Sequence, residues 1–125
     1  MNIHESGENY LETILLLREK SGYVRAVDVA NELNFSKPSV SRALGILKNA
    51  GLVIIEPSGN ILLTPAGEQR AAEVYERHRI ITRFLILALD VPSDIAAIDA
   101  CRIEHIISPE TFDRIRLFVG NAESK

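Results

Sequence analysis

The string Cys101-Arg102-Ile103-Glu104-His105 sets a thiol, a carboxylate and an imidazole at positions i, i+3 and i+4. On a helix these positions share one face, with β-carbons about 5–6 Å apart, so three donor groups converge from a single element. That donor set is how first-row divalent metals are held. Each residue alone has a plainer reading: a lone cysteine is usually an inert buried thiol, and a Glu-His pair usually sits at the surface. The single cysteine of the chain cannot form an internal disulfide, which leaves a core thiol, a ligand or a nucleophile. As a nucleophile Cys101 would need His105 as its base. Nothing in the chain resembles an oxyanion hole or a substrate cleft, so a cysteine enzyme is the weaker alternative and no small organic substrate is expected.

A further imidazole, His78, falls in register with Ala71, Val74, Ile81 and Leu85, an apolar stripe at helical spacing. A histidine on such a stripe reads first as a satisfied core residue. It faces the Cys101 cluster if the two helices concerned pack antiparallel. Asn9 and Glu12, i and i+3 near the start of the chain, lie on the polar side of their helix. From spacing alone they form a solvated face.

The other chemistry is anion binding. Between Phe35 and Ile55 the only charged side chains are Lys37, Arg42 and Lys48, although the whole chain has a formal net charge of −3. The acids gather elsewhere, at Glu5, Glu8 and Glu12 and later at Asp90, Asp94, Asp99 and Glu104. A basic stripe on an acidic body suits a phosphate-binding face plus a second site that attracts cations. The candidate DNA contacts are Ser36, Lys37, Pro38, Ser39, Ser41, Arg42 and Lys48, with Arg25 placed for a backbone phosphate. Short hydroxyl residues allow close approach, and Arg42 alone can read guanine bidentately. The plainer reading of a serine-rich face is solvation, and a winged fold can also serve protein contacts. The tip Pro57-Ser58-Gly59-Asn60 carries no lysine or arginine, so the wing is expected to add little charge.

These residues need elements to position them. Apolar periodicity predicts a first helix from Ser6 to about Lys20 and a second from Val27 to Leu33. Asn34-Phe35-Ser36 makes a turn, and Ser36 caps a third helix, with Lys37 and Pro38 in its first positions, running to about Ala50. Leu52–Ile55 and Ile61–Leu63 flank a turn and predict a β-hairpin. Thr64-Pro65 opens a long helix to about Leu89. A fifth helix is expected over about Asp94–Ile107 and a sixth over Glu110–Val119, with the tail from Gly120 frayed. The fold class is therefore mainly α: an N-terminal winged helix-turn-helix over residues 1–64, then an all-helical domain over 65–125 for dimerisation and effector binding. An apolar share of 46% and a charged share of 25% are those of a soluble globular protein. No apolar run approaches bilayer length and the N-terminus is not signal-like, so a cytoplasmic location without a membrane partner is expected.

The chain resembles the metal-dependent repressors typified by the diphtheria toxin repressor and the manganese transport regulators, from about Glu8 to Arg116. The resemblance is carried by Glu8-Asn9-Tyr10-Leu11-Glu12, Gly22-Tyr23-Val24-Arg25, Lys37-Pro38-Ser39-Val40, Leu63-Thr64-Pro65-Ala66-Gly67, Arg77-His78-Arg79 and Ala100–His105. It implies metal ligands from the first, fourth and fifth helices: Asn9, Glu12, His78, Cys101, Glu104 and His105. It also implies a homodimer, a double-stranded DNA operator, and repression of metal-uptake genes when metal is plentiful. The chain ends where iron-type members continue into an SH3-like domain, as in the shorter manganese-type architecture. Asn9 replaces the aspartate of manganese-type and the methionine of iron-type members; Cys101 is the iron-type choice and Glu12 the manganese-type one. Thr82 and Ala97 stand where iron-type members hold a second metal, so that ancillary site is expected to be absent. A thiolate favours iron(II), zinc(II) or cobalt(II) over manganese(II), so iron(II) is expected first and manganese(II) second. The alternative is a winged-helix regulator without metal control, for which Asn9 is the argument.

Overall fold

The computed structural model describes residues 5–124; Met1-Asn2-Ile3-His4 of the polar N-terminus and Lys125 of the tail lie outside the described residues. In chain order the elements are α1 (Glu5–Ser21), α2 (Ala26–Leu33), α3 (Lys37–Asn49), β1 (Val53–Ile55), β2 (Ile61–Leu63), α4 (Pro65–Leu89), α5 (Ser93–Ile103) and α6 (Pro109–Glu123). Three helices followed by a hairpin and then more helices is the expected order. The chain divides into two compact units, one ending at Ala72 and the other starting at Glu73, and the division falls inside α4.

In the first unit the helical stripes meet in one core. Leu11 and Ile14 of α1, Val29 of α2, Val40 and Leu47 of α3, and Val53 and Ile61 of the hairpin are all nearly or fully buried in it. Ser36 caps α3 by accepting a hydrogen bond from the Ser39 amide at 3.3 Å, and Pro38 sits in the first turn, where its missing N–H costs nothing. Gly51 ends the α3 region at φ +77°, a backbone conformation that favours glycine. The strands pair antiparallel with Ile54 opposite Leu62.

The extended stretch before α2 is tied to the hairpin. The Ile61 amide donates to the Val24 carbonyl at 2.7 Å, and the Val24 amide donates to Asn60 Oδ1 at 3.0 Å. Thr64 caps α4: its hydroxyl accepts from the Gly67 amide at 3.1 Å and donates to the Gly51 carbonyl at 2.6 Å. Gly67 is obligatory there, because a β-carbon would lie 2.0 Å from the Leu52 carbonyl oxygen.

In the second unit Ile81 and Leu85 of α4, Ala96 and Ala100 of α5, and Phe112 of α6 form a separate core. Two expectations are corrected here. α5 ends at Ile103 rather than Ile107, and Ser108 is extended ahead of Pro109 (φ −71°, ψ 155°). The last turn tightens, with the Ile106 and Ile107 amides both donating to the Ile103 carbonyl. α6 runs on to Glu123 instead of fraying at Gly120, with Val119 buried and Glu123 Oε2 accepting from Arg83 Nε at 2.9 Å. No helix among the described residues is long and apolar enough to cross a membrane.

Candidate metal centre and nucleic-acid interface

The second unit holds the chemical cluster. Along α4 the buried positions Val74, Ile81 and Leu85 share a stripe with His78, whose side chain keeps 24% of its exposure. Along α5 Ala96 and Ala100 are buried, and the next residue at the same spacing is Glu104. Glu104 is the C-cap of α5; it retains helical backbone, and its amide donates to the Ala100 carbonyl at 2.9 Å. The shortened helix therefore still delivers the carboxylate to the face that the periodicity assigned it.

Glu104 is entirely buried, and two imidazoles flank it. His78 Nδ1 lies 3.0 Å from Glu104 Oε2, and His105 Nε2 lies 3.2 Å from Glu104 Oε1. The second contact falls outside hydrogen-bond geometry, so Oε1 accepts no hydrogen bond from the described residues. A carboxylate with no access to water carries a desolvation penalty of about several kcal/mol unless positive charge answers it. His78 Nδ1 and Glu104 Oε2, a borderline and a hard donor side by side, suit a divalent first-row ion, whereas His105 Nε2 stands at the other carboxylate oxygen.

The other sequence candidates fall as follows. Cys101 is half-buried and shares with His78, Ala97, Ile98 and Arg102 the wall of an open groove of about 390 Å³. Asn9 and Glu12 belong to the first unit. Asn9 is half-buried on α1, but Glu12 is 6% exposed, which corrects the solvated-face reading for that residue. Burial of an acid on the polar side of an amphipathic helix was invisible to spacing, because spacing reports only apolar content. Glu8 is buried on the same helix, and its Oε2 accepts from Arg70 NH2 at 3.2 Å.

The candidate anion-binding face lies in the first unit. Ser36, Lys37, Pro38, Ser39, Ser41, Arg42 and Lys48 are all exposed, while Val40, Leu44 and Leu47 fill the opposite side of α3. At about 100° per residue, Arg42 points most directly away from that buried stripe. Two of the serines have work within the fold, since Ser36 Oγ donates to Ser39 Oγ at 2.8 Å.

Arg25 is exposed at the N-cap of α2 and engages Tyr23, a residue that sequence reasoning left without a role. The Arg25 guanidinium lies 5.1 Å from the centre of the Tyr23 ring, and Arg25 Nε donates to the Tyr23 hydroxyl at 3.1 Å. The same hydroxyl donates to the Ser58 carbonyl of the wing at 3.3 Å. The Ser58 side chain and then the Arg25 guanidinium, both able to donate to the phenol oxygen, hold the Tyr23 phenol below the ordinary tyrosine value. The wing thus receives from outside the positive charge that its own tip lacks. The pairing of Tyr23 with Arg25 at i and i+2 on an extended segment was the available signal, since such residues share a side.

Two family models match the chain: an iron-dependent repressor N-terminal DNA-binding domain over residues 2–61, and an iron-dependent repressor metal-binding and dimerisation domain over residues 64–125. The transcriptional regulator MntR of Escherichia coli O157:H7 is 41% identical over 118 residues, covering 94% of this chain and 76% of that protein. An uncharacterised helix-turn-helix-type transcriptional regulator of Methanocaldococcus jannaschii is 30% identical over 122 residues, covering 97% of this chain and 98% of that protein. Among solved structures, a manganese-dependent transcriptional repressor in complex with manganese aligns with a TM-score of 0.84 at 27% identity, over 91% of this chain and 52% of that one. The chain spans about half the length of such solved structures.

Proposed function

Because the chain belongs to the iron-dependent repressor family, that of the diphtheria toxin repressor and the manganese transport regulators, we propose that it is a homodimeric repressor that binds a double-stranded DNA operator when a divalent metal is bound. The observation that carries the metal half is the buried Glu104 carboxylate between His78 and His105. The proposed ligand set is Asn9, Glu12, His78, Cys101, Glu104 and His105, with Asn9 and Glu12 resting on the resemblance. The proposed DNA contacts are Arg25, Ser36, Lys37, Pro38, Ser39, Ser41, Arg42 and Lys48, a set without an acidic side chain.

A bound divalent ion supplies the positive charge that lets Glu104 stay ionised away from water. The neutral imidazoles of His78 and His105 offer nitrogen lone pairs, and Cys101 offers a thiolate. With Cys101 ligating, sulfur softness ranks iron(II) ahead of manganese(II), with zinc(II) and cobalt(II) as competitors. The relative named as a manganese-dependent repressor keeps manganese(II) as the alternative effector. The regulated genes are those of iron or manganese homeostasis. A metal acts as an effector in such a system only by binding the DNA-competent state more tightly.

The test is DNA binding by fluorescence anisotropy at fixed salt, using a duplex selected from a random library. Arms with chelator, iron(II), manganese(II) and zinc(II) are compared. One metal should tighten binding at least about tenfold, a coupling of about 1.4 kcal/mol. Glu104→Ala and His105→Ala should abolish the stimulation while leaving a folded dimer. Equal binding in chelator and in every metal would mean that Asn9 marks a winged-helix regulator without metal control.

A further inference from the structure

The wing is hydrogen-bonded to the segment that precedes α2, and that segment ends on an arginine. Val24 exchanges hydrogen bonds with the hairpin on both sides, through Ile61 and through the Asn60 side chain. Tyr23 adds its hydroxyl to the Ser58 carbonyl, and Arg25 Nε lies 3.9 Å from where a β-carbon on Gly59 would stand. The tip turn is itself closed, with Gly59 and Glu56 joined through their backbones and Asn60 Nδ2 donating to Glu56 Oε1 at 2.9 Å. Tyr23, Arg25 and the wing tip therefore form one braced unit.

We infer that Tyr23 is a positioning residue: it locks the Arg25 guanidinium against the wing tip, making Arg25 and the wing a single preformed phosphate-binding point on the DNA backbone. The ring stacks under the guanidinium while the hydroxyl occupies Nε. A guanidinium carries five N–H donors in a planar fork suited to phosphate. With Nε held, the two terminal amino groups remain for the ligand, and among the described residues no acidic side chain pairs with them. Asp28, the nearest acid in sequence, accepts instead from the Arg25 backbone amide at 2.9 Å. An arginine ordered before binding loses less conformational freedom on reaching a phosphate. Phosphate contacts set orientation rather than sequence preference, so this point would fix the wing's position while α3 reads bases.

This inference rests on the DNA-binding reading, and the experiment separates the two. Wild type, Tyr23→Phe, Arg25→Gln, the double variant and Arg42→Ala are titrated with the library-selected duplex in saturating manganese(II) across a salt series. Thermal melting establishes that each variant is folded, and Tyr23 is 39% exposed, outside the core. Arg25→Gln should weaken binding on every duplex alike and lower the slope of log affinity against log salt by about one unit. Tyr23→Phe should weaken binding by roughly three- to tenfold and move the slope part of the way, and the double variant should match Arg25→Gln alone. A purely structural tyrosine would change melting without changing the salt slope. Additive losses, or wild-type affinity and slope in Tyr23→Phe, overturn the inference while Arg42→Ala still reports DNA binding. Failure of the wild-type chain to select any duplex overturns the DNA reading itself.

Discussion

Glu104 is the residue on which the metal reading turns, because its charge has no access to solvent and its neighbours are two imidazoles. Glu104→Gln keeps the volume and removes the anion. It should weaken metal binding by more than the roughly 10–100-fold that loss of an outer-shell partner costs, as measured by isothermal titration with manganese(II). Imidazole and thiol must be free of their protons to coordinate. Metal affinity should therefore fall as the solution is acidified, and an affinity independent of pH would remove histidine and cysteine from the ligand set. On the DNA side, Arg42 projects from α3 opposite its buried face. Arg42→Ala should cost about 1–3 kcal/mol on a selected duplex and relax preference at one base position if it reads a guanine.

Elements position these residues through local rules that can be broken singly. α4 begins against the hairpin because Thr64 caps it and Gly67 lets its first turn approach the Leu52 carbonyl. Gly67→Ala forces that approach apart; overpacking of this kind costs about 1–3 kcal/mol, here against rigid backbone, and should appear as a lowered melting midpoint. Ser36→Ala removes the α3 cap and should cost about 1 kcal/mol of stability in the same measurement. If Ser36→Ala instead left stability unchanged but weakened DNA binding, its hydroxyl would belong to the interface rather than to the cap.

At the scale of the molecule, two properties must be linked for regulation to occur. If metal tightens DNA binding by a given factor, DNA must tighten metal binding by the same factor, which titration of manganese(II) into free and duplex-bound protein checks directly. The family model matched over residues 64–125 is a metal-binding and dimerisation domain, and in the second unit Leu89, Ile95, Ile98 and Leu117 remain 48–61% exposed. A second copy of the chain is the proposed cover for these apolar groups. Ile98→Asp should shift the sedimentation coefficient toward that of the monomer; an unchanged dimer would move the interface away from α5.

Which helices and strands form, and in what order, was legible in the sequence alone, because periodicity, Ser36 and Thr64 capping, and Gly51 are local signals that short-range physics enforces. The spacing of Cys101, Glu104 and His105 was likewise legible, but α5 ends at Ile103, so helical periodicity alone does not carry all three onto one face. Three things were decided only by tertiary structure. α5 stops at Ile103, four residues short of the span that apolar periodicity gave it, yet the chain still delivers Glu104 to a buried position between two histidines. Glu12 is buried rather than solvated, which no count of apolar residues on its own helix could reveal. Arg25 reaches the wing through Tyr23, a contact with residues more than thirty positions away. Spacing predicts which side chains share a face; only packing decides what that face meets, because burial and long-range hydrogen bonding depend on the partner element.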